Sequence, residues 1–240
     1  MSSFSNVLWV STCQSLKRFD LPLLYYFAQY VDVNVWEFQQ NLDEASYLQA
    51  PVELLYDYLK FHDTPVHLIG HGINGVVGLM LAREYPQYVR SLTLIAVDFE
   101  PGNTWHAYYY RRRQLFDASF EEVLFYTVLS LFGSQLPYTL HQLANFLYTA
   151  LEETPSTHSI LNIMQLPPGG ADVPLMICGS RNDVVVPEPK LREWLTCYKQ
   201  GDSFLEYSSG NHFFHYFYAQ EIGREILNFW ENHHPEMFKK

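Results

Sequence analysis

At 240 residues, with 48% hydrophobic and 17% charged positions, the chain has a globular composition and length for one large domain with a substantial core. Its 15 basic against 26 acidic residues give a formal charge of −11, which argues against phosphate backbones as partners, so no nucleic acid is expected. No apolar run reaches the ~20 residues of a membrane span, no secretory pattern opens the chain, and three widely spaced cysteines fit a reducing compartment, so a cytoplasmic protein is expected.

Val7-Leu-Trp-Val10 reads as a short apolar strand, followed by Leu and aromatic residues at helical spacing over 15–30. Val31–Trp36 alternates as a strand, and 45–61 predicts a helix with Leu48, Val52, Leu55, Tyr56 and Leu59 on one face. Val66–Ile69 is a third strand, and Gly75–Tyr85 a helix stopped by Pro86. Leu92–Val97 is continuously apolar, as a parallel strand buried on both faces should be.

From 101 to 166 the pattern is helical throughout. Ser119-Phe-Glu-Glu122 resembles a capping box opening a helix that Gly133 closes, and Pro137 suggests the first turn of the next, ending near Glu153. Alternation resumes with the strand Pro174–Cys178, a helix over Lys190–Cys197, the strand Phe204–Tyr207 and a terminal helix over Tyr216–Trp230. These elements predict an α/β fold: a doubly wound, mostly parallel six-stranded sheet with a helical cap insertion. Residues 1–100 and 167–240 form the expected core, and 101–166 the cap at the carboxyl ends of the strands, where ligands bind in open α/β sheets.

Chemistry concentrates at three turns. The first follows the third strand, Val66-His-Leu-Ile-Gly-His-Gly-Ile-Asn-Gly-Val-Val-Gly78, a strand passing through a tight turn into a helix. The second is Gly179-Ser-Arg-Asn-Asp-Val184 and the third Gly210-Asn-His-Phe213, each after a later strand. In this order, and with Ala82–Ile95 continuing the first, they resemble the α/β-hydrolase family. The resemblance spans essentially the whole chain, with 101–166 as the variable cap and the family's first strand pair absent.

The resemblance implies Gly72 at the nucleophile position, Asp183 as the acid and His212 as the base. Asp98, ending the strand before the cap, is a rival acid. Gly72 removes the nucleophile, so a catalytically degenerate member is expected. Asn74 replaces a glycine of the turn, and the loop Val10-Ser-Thr-Cys-Gln14 lacks the His-Gly that shapes half of the family's oxyanion hole. Backbone N–H groups of Thr12 and Ile73, together with Cys13 and His71, remain candidates for lining the pocket. An engineered Ser→Gly change would explain Gly72 but not the altered loop.

The expected function is therefore non-hydrolytic: binding of a small apolar or aromatic ligand under the cap, or of a protein partner. One alternative is an enzyme in which His212, with Asp183 or Asp98, transfers protons without a covalent intermediate, as lyase or cofactor-independent oxygenase relatives do. Another is a displaced nucleophile at Ser11 or Cys13, which would need a base in reach. Gly70-x-Gly72-x-x-Gly75 also matches the dinucleotide fingerprint, with Asp98 at a suitable distance for a ribose hydroxyl, giving NAD(P) binding as a further alternative. No cofactor or metal is expected, since the histidine pair His233-His234 lacks ligand spacing. Tyr108-Tyr-Tyr-Arg-Arg-Arg113 is expected to pair with Glu121 and Glu122.

Overall fold

A computed structural model describes residues 6–41 and 46–238. Six strands form one all-parallel sheet in the order β2-β1-β3-β4-β5-β6. They are β1 (Val7–Ser11), β2 (Val33–Glu37), β3 (Val66–His71), β4 (Val89–Ile95), β5 (Leu175–Ser180) and β6 (Ser203–Tyr207). Strands β1, β3 and β5 are buried along their whole length, which is why they read as apolar runs, whereas the edge strand β2 alternates.

Successive side chains of the central strands serve two different cores. Leu8, Val10, Leu68, Leu92, Leu94 and Ile177 face one side, with α2 (Gln49–Leu59) and α3 (Ile73–Glu84). Val7, Trp9, Ile69, Ile95, Met176 and Cys178 face the other, with α1 (Leu21–Phe27) and α9 (Ala219–His233). On α9 the apolar positions Ile222, Ile226, Phe229 and Trp230 form the buried stripe. The indole N–H groups of Trp9, Trp194 and Trp230 all find acceptors (Asp20, the Val97 carbonyl and Thr93), so these large side chains are buried without orphaned donors.

Between β4 and β5 run α4 (Trp105–Leu115), α5 (Phe120–Phe132) and α6 (Leu140–Glu153). Ser119 and Glu122 form the expected capping box, and Gly133 ends α5 with φ +70°. The start of α6 differs from expectation. Thr139 and Gln142 form a second capping box there, so Pro137 lies outside the helix rather than in its first turn.

Three other boundaries shift. α2 begins at Gln49 rather than 45, which itself lies outside the described residues. The helix after β5 is α7 (Glu188–Glu193) followed by a 3₁₀ turn. The terminal helix is divided at Tyr218, with α8 (Phe214–Phe217) ahead of α9. Among the described residues no helix is long and apolar enough to cross a membrane.

Candidate functional site

The predicted residues gather at the carboxyl ends of the strands. Gly72 follows β3 with φ +53° and ψ −124°, and the chain enters α3 at Ile73. This left-handed backbone strains any L-residue, and glycine relieves the strain. Around it, Gly70 and Gly75 pack so closely that a Cβ at either would meet backbone at 2.6–2.8 Å. The Asn74 carbonyl is part of that close approach to Gly70, and Asn74 has helical backbone within α3.

His212 Nδ1 lies 2.8 Å from Asp183 Oδ2, both side chains buried. Asp183 Oδ1 also accepts the Val185 N–H at 2.8 Å, which fixes the carboxylate. Since the carboxylate accepts, His212 Nδ1 carries the hydrogen and Nε2 is left with its lone pair. That Nε2 is buried without a hydrogen-bond partner among the described residues. A Cβ built on Gly72 would stand 3.6 Å from it, an ordinary contact distance. His212 therefore stands between Asp183 and Gly72, and the Gly72 end of the line carries no side chain.

The rival acid is elsewhere engaged. Asp98 Oδ1 accepts the Glu100 N–H at 2.8 Å, and burial pushes its carboxyl up to about 6. Ser11 is buried, and its hydroxyl has no hydrogen-bond partner among the described residues, so no base activates it. Cys13 is also buried, which pushes its thiol up to about 11, the opposite of what a nucleophilic thiolate needs. Its sulfur lies 3.3 Å from the Ser15 hydroxyl and 3.7 Å from Glu153.

The Thr12 N–H, expected as a donor lining the pocket, is instead bonded to Asn74. Asn74 Oδ1 accepts both the Thr12 N–H at 2.8 Å and the Thr12 hydroxyl at 2.7 Å, all of it buried. The backbone donor sets the amide orientation, because only the carbonyl oxygen of Asn74 can accept it. The N–H that half of an oxyanion hole would require is thus already spent on a neutral side-chain oxygen. Nothing local in the sequence announces this pair, which is 62 residues apart along the chain.

Little space remains. The cleft at Gly72 is lined by Cys13, Leu16, Ile73, Asn74, Trp105 and Thr154, among others, and measures about 20 Å³. That is room for roughly one water molecule. Behind it, Phe19, Phe132 and Phe213 form a ring cluster with centroids 4.5–4.9 Å apart, Phe132 and Phe213 being stacked. Tyr138, Phe146 and Tyr216 pack edge-on against Phe19.

The basic run takes partners other than those expected. Arg111 donates to Asn103, Arg112 covers the Tyr108 ring and Arg113 donates to the Ala118 carbonyl. Glu122 is instead committed to its capping box. His71 adjoins His212, its Nε2 lying 3.0 Å from the His212 carbonyl. Its burial, with His215 and His212 nearby, holds it well below the usual histidine value and so neutral.

No family model matches the chain. It is 45% identical over 234 residues to the uncharacterized protein alr2406 of the cyanobacterium Nostoc sp., covering 98% of this chain and 94% of that one. Solved structures resemble it at low identity. The carboxylesterase CesB (YbfK) from Bacillus subtilis superposes with a TM-score of 0.67 at 10% identity, covering 96% of this chain and 85% of that one. An alpha/beta hydrolase fold protein from Chitinophaga pinensis superposes at 0.64 and 12% identity, covering 96% and 91%. At such identities the likeness speaks for the fold, and the all-parallel sheet with its strand-end turns agrees with it. The chain has the α/β-hydrolase fold and belongs to one family with the Nostoc protein alr2406.

Proposed function

We propose that this protein is a non-hydrolytic, catalytically degenerate member of the superfamily that acts by binding a protein partner, with 101–166 serving as a cap on the core formed by 1–100 and 167–240. The observation that carries this reading is the closed site. Gly72 offers no nucleophile, Asn74 occupies the Thr12 N–H, and the space above them is about 20 Å³. Sites for drug-sized ligands are typically about 300–1,000 Å³, so the cleft at Gly72 has no room for a small apolar or aromatic ligand.

The outer surface of α4 and α5 supports the partner half of the reading. Leu115, Phe116, Tyr126 and Leu129 are exposed there, with Leu115 at 78%. Arg112, Phe116, Ala118, Val123 and Tyr126 line a hollow of about 380 Å³. Apolar surface of this kind, rimmed by charge, marks interaction sites in soluble proteins. The NAD(P) alternative draws no support from the elbow, where Gly70 packs on the backbone of Asn74 and Gly75, Gly75 packs on Val97 and the Gly70 carbonyl, and the Gly72 N–H donates to the Ile95 carbonyl.

One observation favours a second reading. The free Nε2 of His212, held by Asp183 and facing Gly72, is a competent general base. Proton transfer without a covalent intermediate then requires the cap to move away and admit a substrate.

Trp105 lines the cleft and is buried, so its emission reports on entry. Titration with small aromatic esters and acids is expected to give no saturable quenching that disappears in Trp105→Phe. Saturable quenching dependent on Trp105 would establish a ligand site and replace the partner reading. A photo-crosslinking side chain at Phe116 or Tyr126 is expected to capture a partner protein that the same group at Tyr25 on α1 does not. Equal capture from both faces would remove the cap from the interaction.

A further inference from the structure

Beside the Gly72 cleft, three buried side chains converge from parts of the chain that share no sequence motif. Asp20 sits just ahead of α1, His71 ends β3 and His215 lies on α8. Their potential ligand atoms all lie within 4.8 Å of one another, and the two imidazole rings are 4.3 Å apart. We propose that Asp20, His71 and His215 bind one divalent first-row transition-metal ion of the zinc type. This holds whether or not the neighbouring site retains any turnover.

The donor set is the first argument. Two imidazoles and one carboxylate suit Zn²⁺, Fe²⁺ and Co²⁺, and three protein ligands leave a coordination position for water. The cleft lined by Asp20 and His71 has space for roughly one water molecule at that position.

Outer hydrogen bonds are the second. His71 Nε2 faces the His212 carbonyl at 3.0 Å, and a carbonyl only accepts, so Nε2 carries the hydrogen and Nδ1 keeps its lone pair. Ligating histidines are oriented in this way, by donating their other N–H to a carbonyl or carboxylate. Asp20 is oriented too, its Oδ2 accepting the Trp9 indole N–H at 3.1 Å.

The third is the direct contact of His215 with Asp20. His215 Nε2 donates to Asp20 Oδ1 at 3.0 Å, while its Nδ1 is buried with no partner among the described residues. Ligation moves the ring hydrogen from Nε2 to Nδ1, which has no acceptor among the described residues, and turns the Nε2 lone pair and Asp20 Oδ1 toward the ion. No co-reactant is needed and no proton leaves the protein.

The test is a titration of untagged, chelator-stripped protein with Co²⁺ alone, followed by visible absorption. A saturable d–d band at about one equivalent, without a thiolate charge-transfer band and displaced by Zn²⁺, is expected. Asp20→Asn and His215→Gln should each weaken Co²⁺ binding by about tenfold or more, with far-UV circular dichroism unchanged. Replacing His233 and His234 together by Gln should leave the titration as it was. No saturable band in the wild type overturns the proposal, as does thiolate charge transfer. Binding that survives both Asp20→Asn and His215→Gln, or is lost with His233 and His234, overturns it equally. If those two variants do not fold, His71→Gln takes their place in the same titration, with loss of the band expected and its survival overturning the proposal.

Discussion

Asn74 is the residue on which most of the site turns. Its side-chain oxygen satisfies two buried donors of Thr12, the N–H and the hydroxyl. Asn74→Ala leaves both unpaired where water has little access, so the expected loss of stability is about 1–3 kcal/mol by urea unfolding. An unchanged midpoint would mean that Thr12 is solvated in the native state. The motif residues Gly72, Asp183 and His212 were legible in the sequence because strand-end turns carry local glycine patterns. Asn74 was legible as a departure from the motif, whereas its role was not. Asp20 and His215 left no comparable signal. His212-Phe-Phe-His215 places two histidines three apart across the start of α8, but nothing near Asp20 points to a partner 195 residues away.

At the scale of elements, α5 and the histidine turn hold each other. The last carbonyls of a helix lack intrahelical donors. Here the Ser130 carbonyl accepts from Asn211 Nδ2 at 3.0 Å, and the Leu131 carbonyl from the His212 N–H at 3.0 Å. Asn211 has φ +52°, and a Cβ on Gly133 would stand 2.6 Å from its side-chain oxygen. Asn211→Ala therefore loses a cap and strains the backbone, with about 1–2 kcal/mol of destabilisation expected. Asn211→Gly should cost less, because glycine accepts the positive φ. Equal losses by thermal unfolding would assign the whole effect to the side-chain bond.

The closing glycine of α5 and its capping box were readable because both are local devices. The start of α6 was not, since Pro137 competed with the Thr139–Gln142 box that the structure uses. The break at Tyr218 was hidden because Phe214 and Ala219 sit on one continuous apolar pattern.

Across the whole molecule the six strands and their parallel sense were legible in the sequence, the strand order was not, and the two cores follow from alternation along the strands. Packing of the rings beneath α5 and α6 could not be read from the sequence. Tyr and Phe spaced along helices look the same whether they line a pocket or fill one.

Burial of histidines gives the fold a pH dependence. In the folded chain burial holds His67 and His106 down at about 3 and His158 at about 4. In the unfolded chain all three return to about 6.5. Their folded values are depressed, so the unfolded state binds more protons as pH falls below 6.5, and stability declines from there toward pH 4. Asp98, raised to about 6, works in the opposite sense, contributing stability that is lost as pH rises through 6. Three groups outweigh one, so the urea midpoint is expected to fall between pH 7 and pH 5. A flat or rising midpoint would contradict the neutral, buried state of these rings.

The claim that the site is closed at two independent places is tested most directly by Gly72→Ser. Its Cβ fits beside His212 Nε2, so a hydroxyl would complete the line of acid, base and nucleophile. Removing one oxyanion donor from a hydrolase costs roughly 10²–10³ in rate, and here Thr12 is already committed to Asn74. Initial rates of p-nitrophenyl butyrate hydrolysis by folded Gly72→Ser are predicted to match those of the wild type. Saturable turnover by that single variant, with covalent labelling of the new serine by a fluorophosphonate, would contradict the account.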